Sequence, residues 1–335
     1  MSRVLVPLAL TVPPASPDGT RLWHWAGDTM GTTWSVKAEL PPGPDREAIG
    51  AGIRAVLDGV IAQMSNWSVD SAISRYNRAA AGTWITLPAD AFAVLEAALQ
   101  TARDSGGAYD PSAGPLVDLW GFGPAGPRRT VPATDDIVRR RGHCGWQRVA
   151  VDAAHRRVLQ PGNLSLDLCA IAKGFAVDAV SRYLDDQGVP SHLVEIGGEL
   201  RGQGVKADGM PWWVELETPW QGAAMRVRER TLVALCGLSM ATSGDYRRYF
   251  EQDGQRFAHT IDPRTGYPAT HALASVTVLH AEAMMADAWS TALTVLGPEA
   301  GMAVAVRHAL PARFLVRTTQ GFDEHLSPAF AAMLQ

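Results

Sequence analysis

The sequence of 335 residues predicts an α+β fold, and three observations support this. Patterns typical of strands occur in runs between helical patterns, without the regular alternation that a doubly wound parallel sheet requires. Apolar residues make up 47% of the chain, which is enough for a sizeable core. No flexible linker divides the chain. We therefore expect an N-terminal extension over residues 1–25 and a single domain over residues 26–335.

The first half of the chain carries clear strand and helix signals. Residues 33–40 alternate apolar and polar side chains, which predicts a strand. Asp45 is a favourable N-cap residue, and an apolar stripe of helical period follows it up to Met64. Pro88 and Gly106-Gly107 bound a second predicted helix.

The rest of the chain gives a series of shorter signals. We expect a loop over 124–135, a hairpin over 148–159, a helix ending near Gly188, strands over 191–196, 231–242, 256–261 and 274–280, and a helix over 286–296 that Gly297-Pro298 stops.

Charge and cysteine content exclude several classes of protein. Lys plus Arg total 30 and Asp plus Glu total 34, for a net charge of −4, so a broad electrostatic surface for nucleic acid or acidic membrane is not expected. The three cysteines are scattered and form no Cys-x-x-Cys pair. A structural zinc site of the usual spacing and a disulfide framework are therefore not expected.

The N-terminus carries an apolar run over residues 4–12 that Pro7 interrupts. The run is too short to span a bilayer and is a weak secretory signal. No cysteine lies in the first hundred residues, so no lipidated cysteine is expected there. We predict a cytoplasmic protein with no integral membrane segment; a periplasmic location is the alternative.

Two glycine-marked stretches have the composition of ligand sites. Residues 106–123 form a long loop that includes Ala108, Tyr109 and Asp110; such loops often line pockets, although a structural connection has the same composition. In residues 166–178, small residues and Lys173 occupy the start of a helix. Free N–H groups and an ammonium there could bind phosphate, although a lysine in the first turns of a helix is usually just solvated.

Two further stretches carry titratable or metal-ligating side chains. His259 directly precedes the turn-forming residues 262–266; a lone histidine is more often structural than catalytic. Asp287, Ser290 and Thr291 have spacings that place three oxygens on one helix face. One carboxylate and two hydroxyls suit Mg²⁺, although an ordinary polar helix face shows the same pattern.

Taken together, these stretches resemble the ApbE family of flavin transferases, which move FMN from FAD onto a Thr or Ser of a target flavoprotein. The landmarks follow in order over about residues 30 to 300. They are residues 30–33 (MGTT), 64–67 (MSNW), 71–74 (SAIS) with Asn77, 108–111 (AYDP) with 114–116 (GPL), 166–174 (LDLCAIAKG), 195–199 (EIGGE), 241–246 (ATSGDY), 259–266 (HTIDPRTG) and Ala286-Asp287 with Thr291-Ala292.

The resemblance implies a fold of mixed, largely antiparallel sheets flanked by helices, with a flavin site in a cleft between lobes. It also implies roles for particular residues. Those implied to line the FAD site are Met30, Trp67, Ala108, Tyr109, Asp110, Asp167, Lys173 and Ile261. Mg²⁺ is expected on the carbonyl of Ala170 and on Asp287, Ser290 and Thr291; His259 is the expected base, and Asp287 is the second catalytic candidate.

The sequence departs from the family pattern at two positions. Trp67 stands where the family often has tyrosine; it can still stack on a flat ring. Cys169 stands where glycine is common.

The expected activity is Mg²⁺-dependent transfer of FMN from FAD to a Thr or Ser hydroxyl of an acceptor flavoprotein, with release of AMP. One alternative is an FAD pyrophosphatase that uses water and gives FMN and AMP. A second is a non-catalytic FAD-binding protein, against which Asp287, Thr291 and His259 argue, since a carrier needs no metal.

Overall fold

An eight-stranded antiparallel sheet organises the computed structural model, which describes residues 3–8, 19–217, 230–245 and 248–335. The strands are β1 (Arg3–Leu5), β2 (Arg21–Thr29), β3 (Thr32–Leu40), β4 (Thr83–Thr86), β5 (Val151–Asp152), β6 (Arg157–Gln160), β7 (His192–Ile196), β8 (Glu199–Gln203), β9 (Trp212–Glu215), β10 (Thr231–Leu235), β11 (Leu238–Gly244), β12 (Tyr249–Gln252), β13 (Gln255–Ala258), β14 (Ile261–Asp262), β15 (Tyr267–Pro268), β16 (Leu273–His280), β17 (Ala312–Thr318) and β18 (Gly321–Leu326). The helices are α1 (Arg46–Met64), α2 (Ala72–Asn77), α3 (Ala89–Asp104), α4 (Gly114–Leu119), α5 (Thr134–Arg141), α6 (Cys169–Asp186), α7 (Ala283–Arg307) and α8 (Pro328–Ala331).

The strand order of the main sheet is β18-β17-β16-β11-β8-β7-β3-β2, and every neighbouring pair is antiparallel. Helices α6 and α7 pack side by side on one face, α6 against β7 and β8 and α7 against β11 and β16. The two faces of β7 show why the sheet is buried on both sides. Val194 and Ile196 join the main core with the helices, whereas Leu193 joins a second cluster with Trp212 of β9. The α+β prediction is thus confirmed.

Local patterns explain the elements that the sequence predicted. In β3, Trp34, Val36, Ala38 and Leu40 all face the main core. The Asp45 side chain accepts a hydrogen bond from the amide of Glu47 (2.9 Å) and caps α1, whose buried residues lie at helical spacing from Ile49 to Met64. Helix α3 begins after Pro88, as predicted.

Three predicted boundaries were wrong, two of them because of the backbone conformation at a glycine. The strand expected over 256–261 is two strands in different sheets, β13 and β14. The single strand expected over 231–242 is two strands in different sheets, because Gly237 turns the chain with φ of 68°. The helix expected to stop at Gly297 does break there, where φ is 80°. It then continues as a second helical segment to Arg307, since Pro298 is favourable in a first turn.

The N-terminal residues that the structure describes join the fold directly. Strand β1 pairs in parallel with β10. Strand β2 spans residue 26, where the sequence predicts that the domain begins; that domain boundary remains a prediction. Residues 9–12 of the apolar run lie outside the described residues, as do Tyr246 and Arg247. In the described part of the chain, no helix is both long and apolar enough to cross a membrane. All three cysteines are free.

Candidate active site

The candidate site lies at one end of the main sheet, where β3 and β8 begin and β7 and β11 end. The main core lies on one side of it. On the other side is a smaller cluster of Leu116, Trp120, Ile137, Phe250 and Ile261. Asp167 lies beside α4, the helix that carries Leu116, because its Cβ is 3.2 Å from where a side chain on Gly114 would begin.

Helices α6 and α7 approach each other closely at Asp287. A Cβ on Gly174 of α6 would lie 2.2 Å from the carbonyl oxygen of Ala283 and 2.8 Å from Asp287 Cβ, so only glycine fits there. The amide of Gly174 donates to Asp287 Oδ2 (3.0 Å). A regular helix would direct that amide to the carbonyl of Ala170, whose φ of −90° and ψ of 16° depart from helical geometry. Asp287 is 3% exposed, and burial raises the pKa of its carboxyl, while Lys173 opposes the rise.

The two hydroxyls predicted beside Asp287 meet a third hydroxyl that the sequence reasoning did not assign. Ser243 Oγ, at the end of β11, lies 2.8 Å from Ser290 Oγ and 3.1 Å from Thr291 Oγ1. The Ser290 hydroxyl also donates to the carbonyl of Asp287 (2.9 Å). Ser243 lies in the 241–246 landmark, which was the available signal.

Lys173 forms a partly buried ion pair that local pattern did not reveal. Its Nζ lies 2.5 Å from Glu199 Oε1; the Lys173 side chain is 30% exposed and that of Glu199 is 5% exposed. Burial raises the pKa of Glu199, and Lys173 opposes that rise. Burial alone would lower the pKa of Lys173, but the charges of Glu199 and Asp287 outweigh it and the pKa is raised. Lys173 therefore stays charged between two carboxylates.

In the loop of residues 108–110 the first two residues are buried, and Asp110 forms hydrogen bonds within the fold. Tyr109 is buried, and its hydroxyl has no hydrogen-bond partner among the described residues. Asp110 uses both oxygens within the fold: Oδ1 accepts from Ser112, and Oδ2 accepts from the amide of Trp146 (3.1 Å). Asp167 Oδ1 accepts from the amide of Cys169 (2.8 Å) at the start of α6. Ala108 is also buried.

His259 lies between β13 and β14, and one of its two ring nitrogens forms a hydrogen bond to the backbone. Its Nδ1 is 3.2 Å from the carbonyl oxygen of Arg248, which can only accept, so Nδ1 carries the proton and Nε2 is free to accept one. Burial lowers the pKa of His259 to about 4, and the charges of Arg248 and Lys173 act in the same direction. His259 is therefore neutral at pH 7.

The remaining predicted site residues are Met30, Trp67 and Ile261, and they differ in exposure. Met30 lies in the turn between β2 and β3 with φ of 50°, a left-handed conformation rare for a side chain of its size. Trp67 lies on the loop between α1 and α2 and is 60% exposed. Its neighbour Asn66 accepts from the thiol of Cys169 (3.1 Å), which places this loop beside the start of α6. Ile261 is buried in the smaller cluster.

A groove adjoins the site along the 114–119 helix. Its volume is about 680 Å³, and its lining residues include Asn66, Gly114, Asp118, Arg140 and Leu166. The groove thus begins beside Asn66 and Leu166, the neighbours of Trp67 and Asp167.

The chemistry around Asp287 fits a hard divalent cation. Two buried carboxyl groups share one ammonium, so the site carries a net negative charge when both are ionised, and Glu199 Oε2 is buried without a hydrogen-bond partner among the described residues. A cation would offset that charge. In the described ranges no cluster of three or more His, Cys, Asp and Glu side chains suits a metal ion. The predicted ligand set is of another type, since it has one carboxylate, two hydroxyls and a carbonyl.

Comparison with known proteins gives a consistent result. The model of the ApbE family matches residues 30–314. The FAD:protein FMN transferase of Vibrio cholerae is 38% identical, over 93% of this chain and 92% of its own length. The FAD:protein FMN transferase of Haemophilus influenzae is 37% identical, over 99% of this chain and 97% of its own length. Among solved structures, the apo form of the Pseudomonas stutzeri flavinyl transferase ApbE superposes with a TM-score of 0.86 at 40% identity, and covers 94% of this chain and 97% of that one.

The fold and these relatives define the class of the molecule, an α+β enzyme of the transferase type. The chain belongs to the ApbE family.

Proposed function

We propose that this protein transfers FMN from FAD to a Thr or Ser hydroxyl of an acceptor flavoprotein and releases AMP, in a Mg²⁺-dependent reaction. The observation that carries the proposal is Asp287. It is buried, held by the amide of Gly174 and flanked by Lys173 and two hydroxyls. The whole-length similarity to proteins named FAD:protein FMN transferase supports the substrate and the kind of acceptor.

The proposed metal ligands are the carbonyl of Ala170 and the side chains of Asp287, Ser290 and Thr291. When bound there, Mg²⁺ supplies positive charge that neutralises a pyrophosphate and the leaving phosphate. The close approach of α6 and α7 at Gly174 supports this set, because it brings residues from both helices to one place.

His259 is the proposed base. Ser and Thr hydroxyls are poor nucleophiles near pH 7, so a neutral acceptor within hydrogen-bond reach is needed. Nε2 of His259 takes the hydroxyl proton as the hydroxyl oxygen attacks the FMN-side phosphorus. A new P–O bond forms, the bridging P–O bond to the AMP phosphate breaks, and AMP leaves with that electron pair. The Arg248 carbonyl holds the required tautomer throughout.

Lys173 is proposed to bind the pyrophosphate, with Glu199 holding its ammonium in place. Met30, Trp67, Ile261 and the 108–110 loop are proposed to contact the rest of FAD, with Asp167. The exposed indole of Trp67 and the hydroxyl of Tyr109, which no described residue bonds, are both available to a ligand. The cytoplasmic location also remains a proposal.

The test uses the purified protein with FAD and Mg²⁺, with and without a candidate acceptor flavoprotein. We expect covalent FMN on one Thr or Ser of the acceptor by mass spectrometry, AMP in equal amount by chromatography, and loss of both with EDTA. FMN and AMP formed at the same rate without any acceptor, and no covalent product, would instead identify a pyrophosphatase. FAD bound but unchanged would identify a carrier.

A further inference from the structure

Helices α6 and α7 are joined at a second point, one turn before Asp287. Asp178 of α6 is buried, and its carboxylate accepts from the backbone amides of Ala283 (3.0 Å) and Met284 (2.9 Å). These amides belong to the first turn of α7, where a helix provides no acceptor of its own. Glu282, the N-cap residue, makes no side-chain capping bond. A carboxylate from a different helix therefore caps α7.

Arg201 of β8 fixes the orientation of this carboxylate. Its Nη1 lies 3.2 Å from Asp178 Oδ1, and its Nε donates to Ser181 Oγ (3.1 Å). Ser181 Oγ lies 2.7 Å from His192 Nε2, and His192 Nδ1 donates to the carbonyl of Val189 (2.8 Å). Because the carbonyl only accepts, Nε2 must accept from Ser181, and the whole chain of hydrogen bonds runs in one direction. Asp178 is thus held from the sheet side as well.

The two junctions together determine how α7 sits against α6. One junction joins Asp178 to the first turn of α7, and the other joins the Gly174 amide to Asp287. Slippage of α7 by a single residue would rotate its side chains by roughly 100° about the helix axis. Such a change would carry Asp287 away from the start of α6, where Ala170 lies.

We propose that Asp178 is a positioning residue for the metal site: by capping α7 from α6, it sets the place of Asp287 relative to the Ala170 carbonyl. The inference rests on the proposed function, because it uses the metal assignment made there. Asp178 acts through α7 and is not itself a ligand.

Asp178→Asn tests the proposal, since it replaces one acceptor oxygen with an NH₂ group that cannot accept from an amide. Ser327→Ala is the matched control: it removes another buried cap, in which Ser327 Oγ accepts from the amide of Phe330 (3.2 Å) at the start of α8. Mn²⁺ serves as the probe for the Mg²⁺ site, and its dissociation constant is measured by EPR of the free ion on the full chain without FAD. Melting temperature and metal-free FAD affinity are measured in parallel.

We expect both variants to melt at lower temperature and to bind FAD normally without metal. Only Asp178→Asn should weaken Mn²⁺ binding, by about 10-fold or more, the usual effect of losing an outer-shell contact. Wild-type Mn²⁺ affinity in Asp178→Asn would show an ordinary buried cap and overturn the proposal.

Arg201→Lys takes over the test if Asp178→Asn does not fold. It keeps the charge but loses the guanidinium geometry, and we expect Mn²⁺ binding to weaken by a factor of about 3. Unchanged affinity in this variant would also overturn the proposal. If the wild-type protein itself does not bind Mn²⁺, the metal assignment of the proposed function fails, and this inference fails with it.

Discussion

The two walls of the candidate site are held in place in different ways. The helix wall, formed by α6 and α7, is buried and joined by hydrogen bonds through Gly174 and Asp178, and Glu199 of β8 binds Lys173 of α6. The wall that the loop of residues 65–71 contributes is more open, since Trp67 on that loop is 60% exposed. Groups that must balance charge in a low dielectric need fixed neighbours, whereas groups that admit a large ligand need room to adapt.

The largest effect is expected from removing the one carboxylate proposed to bind the metal. Asp287→Asn should lower FMN transfer by at least about 10³-fold, since metal-ion charge stabilisation supplies several kcal/mol. The free energy of unfolding should change by less than about 1 kcal/mol, because burial already disfavours the charged form. Glu299→Gln, an exposed carboxylate in the second segment of α7, is the control and should keep full activity. Normal activity of Asp287→Asn at limiting Mg²⁺ would refute the metal assignment.

His259→Gln should lower kcat by about 10²–10³-fold and leave FAD affinity intact, as expected for loss of a general base. His155→Gln, an exposed histidine elsewhere, is the control. If FAD affinity collapsed while kcat at saturation held, His259 would be a binding residue.

The pH dependence sharpens the same assignment. The base must be neutral, so kcat/KM falls as pH drops through the pKa of His259 in the free enzyme. Since that pKa is lowered to about 4, the His259-dependent acid limb should lie near pH 4 and not near 6.5. Profiles recorded at saturating Mg²⁺ should lose this limb in His259→Gln. A His259-dependent limb near pH 6.5 would show a solvated imidazole.

A smaller effect is expected at Lys173. Lys173→Met should weaken FAD binding by about 1–3 kcal/mol, the scale of a charge-assisted hydrogen bond, and leave riboflavin binding unchanged because riboflavin has no phosphate. The single variant also leaves Glu199 without its partner, which should destabilise the fold. The double variant Lys173→Met with Glu199→Gln should recover most of that stability but not the FAD affinity. Equal weakening of riboflavin and FAD would place Lys173 against the flavin ring.

The smallest effect on stability is expected at Trp67. Trp67→Ala removes an exposed side chain and should change the free energy of unfolding by less than about 0.5 kcal/mol. FAD affinity should nevertheless fall by about 1–2 kcal/mol if the indole stacks on the ligand, as aromatic stacking on bases is worth about that much. Trp67→Tyr is the control and should bind nearly as well as the natural protein. A loss of stability without loss of FAD affinity would assign Trp67 a structural role.

Patterns of short range were enough to predict much of this molecule. The alternation in β3 and the stripe in α1 follow from periods of two and 3.6 residues, which local sequence shows directly. The common face of Asp287, Ser290 and Thr291 follows from the same helical geometry. The boundary errors at Gly237 and Gly297 arose because a pattern of apolar residues does not reveal a left-handed backbone conformation.

The partners of the site residues depend on the tertiary structure. Lys173 and Glu199 are 26 residues apart, and the Gly174 amide and Asp287 are 113 residues apart. Asp178 reaches the first turn of α7 across 105 residues. The sequence by itself determined which helix face carries the three oxygens, and through the family resemblance it pointed to His259 as the proposed base. Only the packing of α6 against α7 and against the sheet decided which residues neutralise the charges of those groups, orient them and cap their helices. The physical reason is that electrostatic and hydrogen-bond partners are chosen by distance in space, and a local sequence period does not encode that distance.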